Sequence, residues 1–287
     1  ETLTFDEAVD ETRRRVTHAT ELRLRADVPI ALCLSGGIDS NLLMGITKRV
    51  LHKEVQAFSI VGSDPRYDET EAIRSSAEWF GIEPHIKTMT GFNALTVLEK
   101  ITRERGAPVA TANQFALWSL MQEISNSGFK VAVSGLGADE LFTGYYDHHL
   151  YYLSDLRHSM PNLLKEKTDE WQALVRPLLR NPYMKALTED PRQDPSIPSL
   201  VFGDTMPRLE YLAPWAQAMD LSWTEEHFED GLLRNRMANE RWRVSVPLTL
   251  HEEDRNAMYW SVENRSPYLD SRLLSWSRTV PMRHLIQ

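Results

Sequence analysis

The sequence of 287 residues contains one cysteine, Cys33, and no apolar run long enough to span a bilayer. A single cysteine excludes an internal disulfide framework and a metal cage built from cysteines. A secretory leader, with its charged and then apolar residues, is not found either. These absences lead us to expect a protein of the reducing cytoplasm with no membrane partner.

Basic residues are in the minority, with 32 Lys and Arg against 41 Asp and Glu and a formal net charge of -9. Affinity for nucleic acids rests largely on Lys and Arg side chains that neutralise phosphates. We therefore expect no nucleic-acid partner. The content of 42% hydrophobic and 25% charged residues is typical of a globular protein.

Short apolar segments alternate with helical patterns over the first 150 residues. Strands are predicted at 29–35, 55–61, 84–89 and 130–135. Thr4 and Glu7 have the form of a capping box, and Gly81 is placed to close a helix over 68–80. The alternation predicts an α/β fold, a doubly wound parallel five-stranded sheet with helices on both faces.

The strand signals end near residue 150. Eight of the fifteen prolines fall between Pro161 and Pro214, which predicts short helices with irregular connections, either mobile or acting as a lid. Helical spacing returns from about residue 217. We expect two domains, an α/β domain over 1–150 and an all-helical C-terminal part over 151–287.

Two glycine-containing loops directly follow predicted strands: SGGIDS at 35–40 and SGLGADE at 134–140. In doubly wound sheets, ligands bind at the carboxyl ends of strands where the strand order reverses. In the order 3-2-1-4-5, the first and fourth strands are neighbours at that point, so the two loops are expected to face one another. Glycines there let backbone N–H groups turn toward an anion, and a helix N-terminus adds partial positive charge.

Neither loop carries the Gly-Lys-Ser/Thr ending of the common mononucleotide loop. A bound triphosphate would therefore need a divalent cation, and hard oxygen ligands suit Mg²⁺. Asp39 and Asp139, one in each loop, are the predicted metal ligands and candidate catalytic residues. The alternative is a pair of tight turns in which glycine only relieves strain.

Four segments stand in this order along the chain: RLRADVPIALCLSGGIDS, YDETEAI, KVAVSGLGADELFTGY and EEDRNAMYWSVENRSPYLDSRLL. Together they resemble the synthetase domain of the asparagine synthetase family, one of the ATP pyrophosphatases with a Ser-Gly-Gly-x-Asp-Ser loop. The resemblance implies that ATP is cleaved between its α and β phosphates. A carboxylate, that of aspartate or an analogue, becomes an acyl-adenylate, and an amine or ammonia then displaces AMP to form an amide.

The resemblance also implies roles for individual residues. Pyrophosphate would bind the loop, Mg²⁺ would bind Asp39 and Asp139, and adenosine would contact strand ends. The loop residues are Ser35, Gly36, Gly37, Asp39 and Ser40, and the strand-end residues are Leu34, Ile60, Ser134 and Gly135. Leu34, Ile60 and Gly135 equally fit ordinary strand-end packing. Further along, five residues resemble positions that hold the helical part against the site: Asp254, Arg255, Glu263, Arg265 and Asp270.

The sequence departs from the family's pattern at several points. Leu136 stands where members that make asparagine usually carry Glu, and leucine cannot accept a proton. A glutaminase domain with an N-terminal cysteine is not found, so nitrogen is expected from a glutaminase domain or partner, from free ammonia or from another substrate's amine. A lysine-containing C-terminal segment is also missing, and YDHH replaces the lysine after the second loop.

Two alternatives to an asparagine synthetase-like ligase follow from these departures. One is a different ATP pyrophosphatase that amidates or cyclises another substrate, and the other is a non-catalytic nucleotide-binding module. The oligomeric state is left open, a homodimer included. His148 and His149, in YDHH, point in different directions on a helix, and packing or surface roles are expected for them.

Overall fold

The computed structural model describes residues 3–62, 64, 68–89, 94–107, 109, 113–179 and 225–286. The chain divides into two compact units. Unit 1 consists of Glu1–Leu141 and Val246–His284, and unit 2 of Phe142–Ser245 and Leu285–Gln287. Within the described residues, none of the helices combines the length and the apolar composition needed to cross a bilayer.

The first part of unit 1 alternates strands and helices. It contains α1 (Phe5–Arg23), β1 (Ile30–Cys33), α2 (Ile38–Gly45) with a π-helical turn (Ile46–Val50), β2 (Gln56–Val61), α3 (Thr70–Phe80), β3 (His85–Thr88), α4 (Ala94–Arg105), α5 (Asn113–Asn126), β4 (Val131–Val133) and α6 (Ala138–Phe142). The capping box predicted at the start of α1 is confirmed, because the Thr4 side chain accepts a hydrogen bond from the Glu7 N–H. Gly81 closes α3 with a φ of 67°, as predicted.

The secondary-structure elements in the described residues of unit 2 are helices. They are α7 (Tyr146–Ser159), α8 (Pro161–Leu174), a 3₁₀ turn (Arg176–Leu178) and α9 (Leu232–Trp242). The expectation of only short helices after Pro161 is wrong for α8, which has 14 residues. Proline is compatible with the first position of a helix, because the N–H that it lacks has no partner there. The prediction for 180–224 lies outside the described residues.

The chain then returns to unit 1. It adds α10 (Ser245–Tyr259), β5 (Glu263–Arg265), a 3₁₀ turn (Pro267–Leu269), α11 (Ser271–Ser277) and a second 3₁₀ turn (Met282–His284). The predicted division at residue 150 cuts the chain once, whereas unit 1 combines two separate stretches of it.

The sheet has five parallel strands in the order β3-β2-β1-β4-β5, which confirms the predicted fold. The all-helical pattern expected around β5 is wrong at this strand, which pairs with β4 through Val131↔Glu263 and Val133↔Arg265. Its three residues, Glu-Asn-Arg, lack the apolar character of a buried strand. Pairing with β4, which is not visible in the local sequence, makes this segment a strand.

Helices cover the centre of the sheet on both faces. Ile30, Ala31 and Leu32 of β1 are all buried, and successive strand residues point to opposite faces. On one face, a core cluster joins the sheet to α5 and α10; it comprises Ala31, Phe58, Leu120, Met121, Ile124, Ala132, Ala257 and Val262. The carboxyl ends of β1 and β4, neighbours at the centre of the sheet, are left to carry the two loops.

Candidate functional site

The first loop begins where β1 ends. The Leu34 N–H donates to the Phe58 carbonyl at 2.9 Å, and the Ser59 hydroxyl donates to the Leu34 carbonyl at 2.7 Å. Gly37 is the N-cap of α2, has an extended backbone and receives no side-chain cap. The loop therefore leads directly into a helix N-terminus whose backbone donors favour an anion.

Hydroxyl and amide side chains fix the shape of this loop. The Ser35 N–H donates to the Ser40 hydroxyl at 3.0 Å, and the two serine hydroxyls lie 2.9 Å apart. The Asn41 amide donates to the carbonyls of Gly37 at 2.7 Å and Ser35 at 3.0 Å. Asn41 was not among the predicted site residues, although it directly follows the motif. These bonds hold the loop in a preformed conformation.

A carboxylate already contacts the predicted anion-binding backbone. The Gly36 N–H donates to Glu69 Oε2 at 2.9 Å, and a Cβ built on Gly36 would lie 3.1 Å from Ala72 Cβ. The backbone amide is therefore turned toward an oxygen anion at a position with little room for a side chain. Sequence reasoning assigned no role to Glu69, although it belongs to the YDETEAI segment.

The second loop lies against the first. A Cβ built on Gly135 would be 3.2 Å from Asp39 Cβ and 3.4 Å from the Ser40 nitrogen. Gly137 has a φ of 100°, and a Cβ there would lie within 2.4 Å of Leu269 Cδ2. Both glycines thus permit a close approach of backbone to a neighbour, and the loops are adjacent as the strand order requires.

Tyr268 is a buried tyrosine that interacts electrostatically with both predicted metal ligands. It is 2% exposed, and its hydroxyl donates to the Asp39 carbonyl at 3.1 Å. Burial, and then the negative charges of Asp39 and Asp139, raise the pKa of its phenol. Both carboxylates therefore act on one buried hydroxyl, which sequence reasoning did not identify.

Asp39 is a partly buried carboxylate, and burial raises its pKa. Within the described ranges, no ion pair involves Asp39. A divalent cation would relieve the cost of this charge, and the carboxylate oxygens of Asp39 and Asp139 are suitable ligands for Mg²⁺. The residues thus fit the metal, and their role as ligands stays a prediction.

The predicted adenosine contacts occupy strand ends, where the structure gives each an ordinary packing role as well. Leu34 and Ser134 are buried, and the partly buried Ile60 packs against the core cluster that α5 and α10 share with the sheet. The Ser134 N–H donates to the Arg265 carbonyl at 2.9 Å. Nucleotide contacts of Leu34, Ile60, Ser134 and Gly135 remain predictions.

Three of the residues predicted to hold the helical part have clear contacts inside unit 1. Arg265 donates to the carbonyls of Arg23 at 2.9 Å and Arg25 at 2.8 Å, which joins β5 to the end of α1. Arg255 donates to the Arg105 carbonyl at 3.0 Å. The Asp270 carboxylate caps α11, and the hydrogen bond from Arg272 lowers its pKa to about 2.

A second acidic cluster lies in unit 2. Ligand atoms of Asp147, His148 and Glu240 lie within 4.8 Å of one another. His148 is completely buried; its Nδ1 accepts from the Gly144 N–H at 3.3 Å, and its Nε2 lies 2.8 Å from Glu240 Oε2. The Arg236 Nε lies 2.9 Å from Glu240 Oε1 and 3.5 Å from Asp147 Oδ2. His148 is thus part of a buried hydrogen-bonded network, and the packing or surface roles expected for His148 and His149 stay predictions.

The sequence of the chain matches that of a known protein family. A family model described as asparagine synthase matches residues 11–287. The chain therefore belongs to the asparagine synthase family. Its sheet order and paired loops are the features that the alternation of strands and helices predicted.

Individual relatives match over part of their length. The amidase chyE of Penicillium rubens is 30% identical over 184 residues, which are 59% of this chain and 27% of that protein. Asparagine synthetase [glutamine-hydrolyzing] 1 of Bacillus subtilis is 31% identical over 140 residues, covering 49% of this chain and 22% of that protein. A solved NH3-dependent NAD synthetase of Campylobacter jejuni has 16% identity and a TM-score of 0.34, with 66% of this chain and 94% of that chain covered. The chain thus spans about a quarter of the length of the first two relatives.

Proposed function

We propose that the chain is the synthetase part of an ATP-dependent, amide-forming ligase of the cytoplasm. In this reaction a carboxylate attacks the α phosphate of ATP, pyrophosphate leaves, and the acyl-AMP formed is attacked by ammonia or an amine. Family membership supports the proposal. The observation that carries it is the packing of Gly135 against Asp39, because it brings together the loops after β1 and β4 that contain Asp39 and Asp139.

In this proposal, the chain's own groups bind and orient the nucleotide. The loop of Ser35, Gly36, Gly37, Asp39 and Ser40 binds the pyrophosphate end, with the Gly36 N–H and the N-terminus of α2 facing the anion. Leu34, Ile60, Ser134 and Gly135 contact the adenosine. Asp39 and Asp139 hold Mg²⁺, which when bound supplies positive charge that makes pyrophosphate a better leaving group.

Glu69 must leave the Gly36 amide before a phosphate oxygen can occupy the same donor. Its carboxylate now accepts that N–H at 2.9 Å, and two anions cannot share one amide without repulsion. The loop therefore keeps its shape while one acceptor replaces another. The fixed bonds from Ser40 and Asn41 are what preorganise it.

Leu136 supports a second candidate within the same class. A leucine at this position of SGLGADE offers no proton acceptor or hydrogen bond to an incoming amine. The acid substrate is therefore aspartate or an analogue in the first candidate, and another carboxylate that is amidated or cyclised in the second. Nitrogen arrives from a glutaminase domain or partner, from free ammonia, or from an amine.

The test is exchange of labelled pyrophosphate into ATP by the full-length protein, with Mg²⁺ and a panel of carboxylic acids. We expect exchange that depends on one class of acid, because reversal of adenylation needs the acyl group. Calorimetry with ATP runs in parallel. Binding of ATP without exchange for any acid would contradict the ligase and favour the non-catalytic module.

A further inference from the structure

A buried carboxylate contacts the start of the second loop. Glu253 of α10 is 8% exposed and accepts hydrogen bonds from the Ser134 hydroxyl at 3.3 Å and the Asn264 amide at 2.7 Å. Its neighbour Glu252 pairs with Arg105, but none of the ion pairs formed by described residues includes Glu253. A charged carboxylate without a cation at such a position is costly.

The contacts of Glu253 lead to the strand edge that carries the candidate site. Ser134 is the first residue after β4, and the next residue, Gly135, packs against Asp39. The Ser134 hydroxyl also lies 3.5 Å from the Ser266 hydroxyl, which follows β5. A residue predicted to contact the nucleotide thus has its hydroxyl hydrogen-bonded to an interior carboxylate.

The titratable neighbours of Glu253 come from α6 and β1. Burial raises the pKa of Glu253, the bonds from Asn264 and Ser134 lower it, and the charge of Glu140 on α6 raises it. Burial, and then the charge of Glu253, raise the pKa of Cys33 on β1 to about 12. With a neutral thiol and a second acid around it, Glu253 holds a proton more readily than an exposed glutamate does.

Amide formation needs a proton acceptor, which Leu136 does not provide. We propose that Glu253, acting through the Ser134 hydroxyl, accepts the proton that the nitrogen nucleophile loses when it attacks the acyl-adenylate. This inference rests on the proposed function. Glu253 is a positioning residue for Ser134 and the final holder of the proton.

The step balances without any further reactant. The nitrogen–carbon bond forms, the carbon–oxygen bond to the phosphate breaks, and AMP leaves with the electron pair of that bond. The nitrogen's proton passes to the Ser134 oxygen as the serine proton passes to Glu253 Oε2. The neutral Glu253 then returns its proton to solvent before the next turnover.

The experiment measures two half-reactions of the full-length protein. Pyrophosphate exchange without a nucleophile reports adenylation, and release of AMP with ammonia or hydroxylamine reports amide formation. Glu253→Gln keeps an acceptor for both hydrogen bonds but cannot take up a proton at neutral pH. We expect exchange within about twofold of wild type and a loss of amide formation of about 10²–10⁴-fold, the usual contribution of a positioned base.

Two further variants and the pH profile separate this role from a structural one. Glu252→Gln, a buried glutamate on the same helix, should leave both half-reactions within about twofold in the folded protein. Glu253→Asp should retain more amide formation than Glu253→Gln. The acidic limb of the pH profile of amide formation, present in wild type, should be missing in Glu253→Gln. Ser134→Ala combined with Glu253→Gln should lose no more than the larger single defect, because the two residues act as a unit.

Three results would overturn the inference. They are wild-type amide formation by Glu253→Gln, an equal loss of both half-reactions in a variant that unfolds earlier, and fully additive defects in the double variant. If the wild-type protein itself exchanges no pyrophosphate with any acid, the proposed function fails and this inference fails with it. The wild-type measurement therefore distinguishes the two failures.

Discussion

Units 1 and 2 both gather acidic side chains, but they compensate the charge in different ways. In unit 2, Arg236 is 2% exposed and contacts Asp147, Glu225 and Glu240, while His148 completes the network. In unit 1, no ion pair formed by described residues includes Asp39, whose pKa burial raises.

This difference distinguishes a structural cluster from a candidate binding site. In a buried network that contains its own cation, the acids are neutralised within the fold, and removal of the cation lowers the folding stability. A carboxylate without such a cation is stabilised by a bound metal ion, and removal of that carboxylate weakens metal binding. Variants of Asp39 and Arg236 should therefore affect different measurements.

The largest effect is expected from Asp39→Asn. The amide keeps the size of the side chain but removes a metal-binding charge, so carboxylate-dependent pyrophosphate exchange should fall by about 10³-fold or more. The free energy of unfolding should stay equal or rise, because a charge that burial disfavours is gone. Asp147→Asn in unit 2 is the matched control, and its folded fraction should retain exchange within about twofold. Full exchange by Asp39→Asn would contradict the assignment.

Arg236→Met should mainly affect the stability of unit 2. It leaves Asp147 and Glu240 buried without the guanidinium, and breaking a buried network in this way costs about 3–5 kcal/mol. Urea unfolding followed by tryptophan fluorescence measures the loss. Lys48→Met removes one member of a pair whose Glu54 side chain is 92% exposed, so it should cost less than about 1 kcal/mol. Equal stability of the two variants would show that the network contributes little.

The sequence predicted the sheet and its two loops because their signals are local. A continuous apolar run predicts β1, and a glycine-containing loop directly after it predicts a ligand edge. Ser35 and Ser40 indeed bond to one another within that loop. The resemblance to the family added the roles of individual residues, which local pattern alone does not give.

The remaining features depend on contacts between distant segments. β5 is a strand because β4 pairs with it, and its Glu-Asn-Arg sequence gives no sign of this. Glu69 and Tyr268 reach the first loop from 33 and 229 residues away. Polar residues of this kind have many exposed counterparts in the same chain, so only the fold singles them out.

Gly137→Ala tests the second loop with a smaller expected effect. The methyl group would meet Leu269 Cδ2 at 2.4 Å in a backbone with a φ of 100°, so strain and overlap should together cost about 2–3 kcal/mol. Exchange should fall about tenfold as the loop shifts. Gly128→Ala is the matched control, since Gly128 has a φ of 89° and no atom within 4 Å of the added Cβ. Gly128→Ala should lower the free energy of unfolding only by the backbone strain, about 1 kcal/mol. Equal losses in the two variants would contradict the overlap predicted at Gly137.

The smallest expected effect compares two carboxylates of unit 1, because the pKa of Asp39 is raised and the pKa of Asp270 is lowered. The hydrogen bond from Arg272 lowers the pKa of Asp270 from 3.8 to about 2. The contribution of the Asp270 carboxylate to the free energy of unfolding is therefore present above about pH 4 and is lost as the pH falls toward about 2. Arg272 is 53% exposed, so solvent screening limits the contribution to about 1 kcal/mol.

Comparison of wild type with Asp270→Asn by urea unfolding between about pH 2.5 and 6 should show an advantage for wild type that grows with pH. Comparison with Asp39→Asn should show the reverse, because the pKa of Asp39 is raised and its contribution is lost as the pH rises through that pKa. Opposite slopes identify Asp270 as an internally paired acid and Asp39 as one without an ion-pair partner among the described residues. Parallel slopes would remove the distinction between a carboxylate that caps a helix and one available to bind a metal.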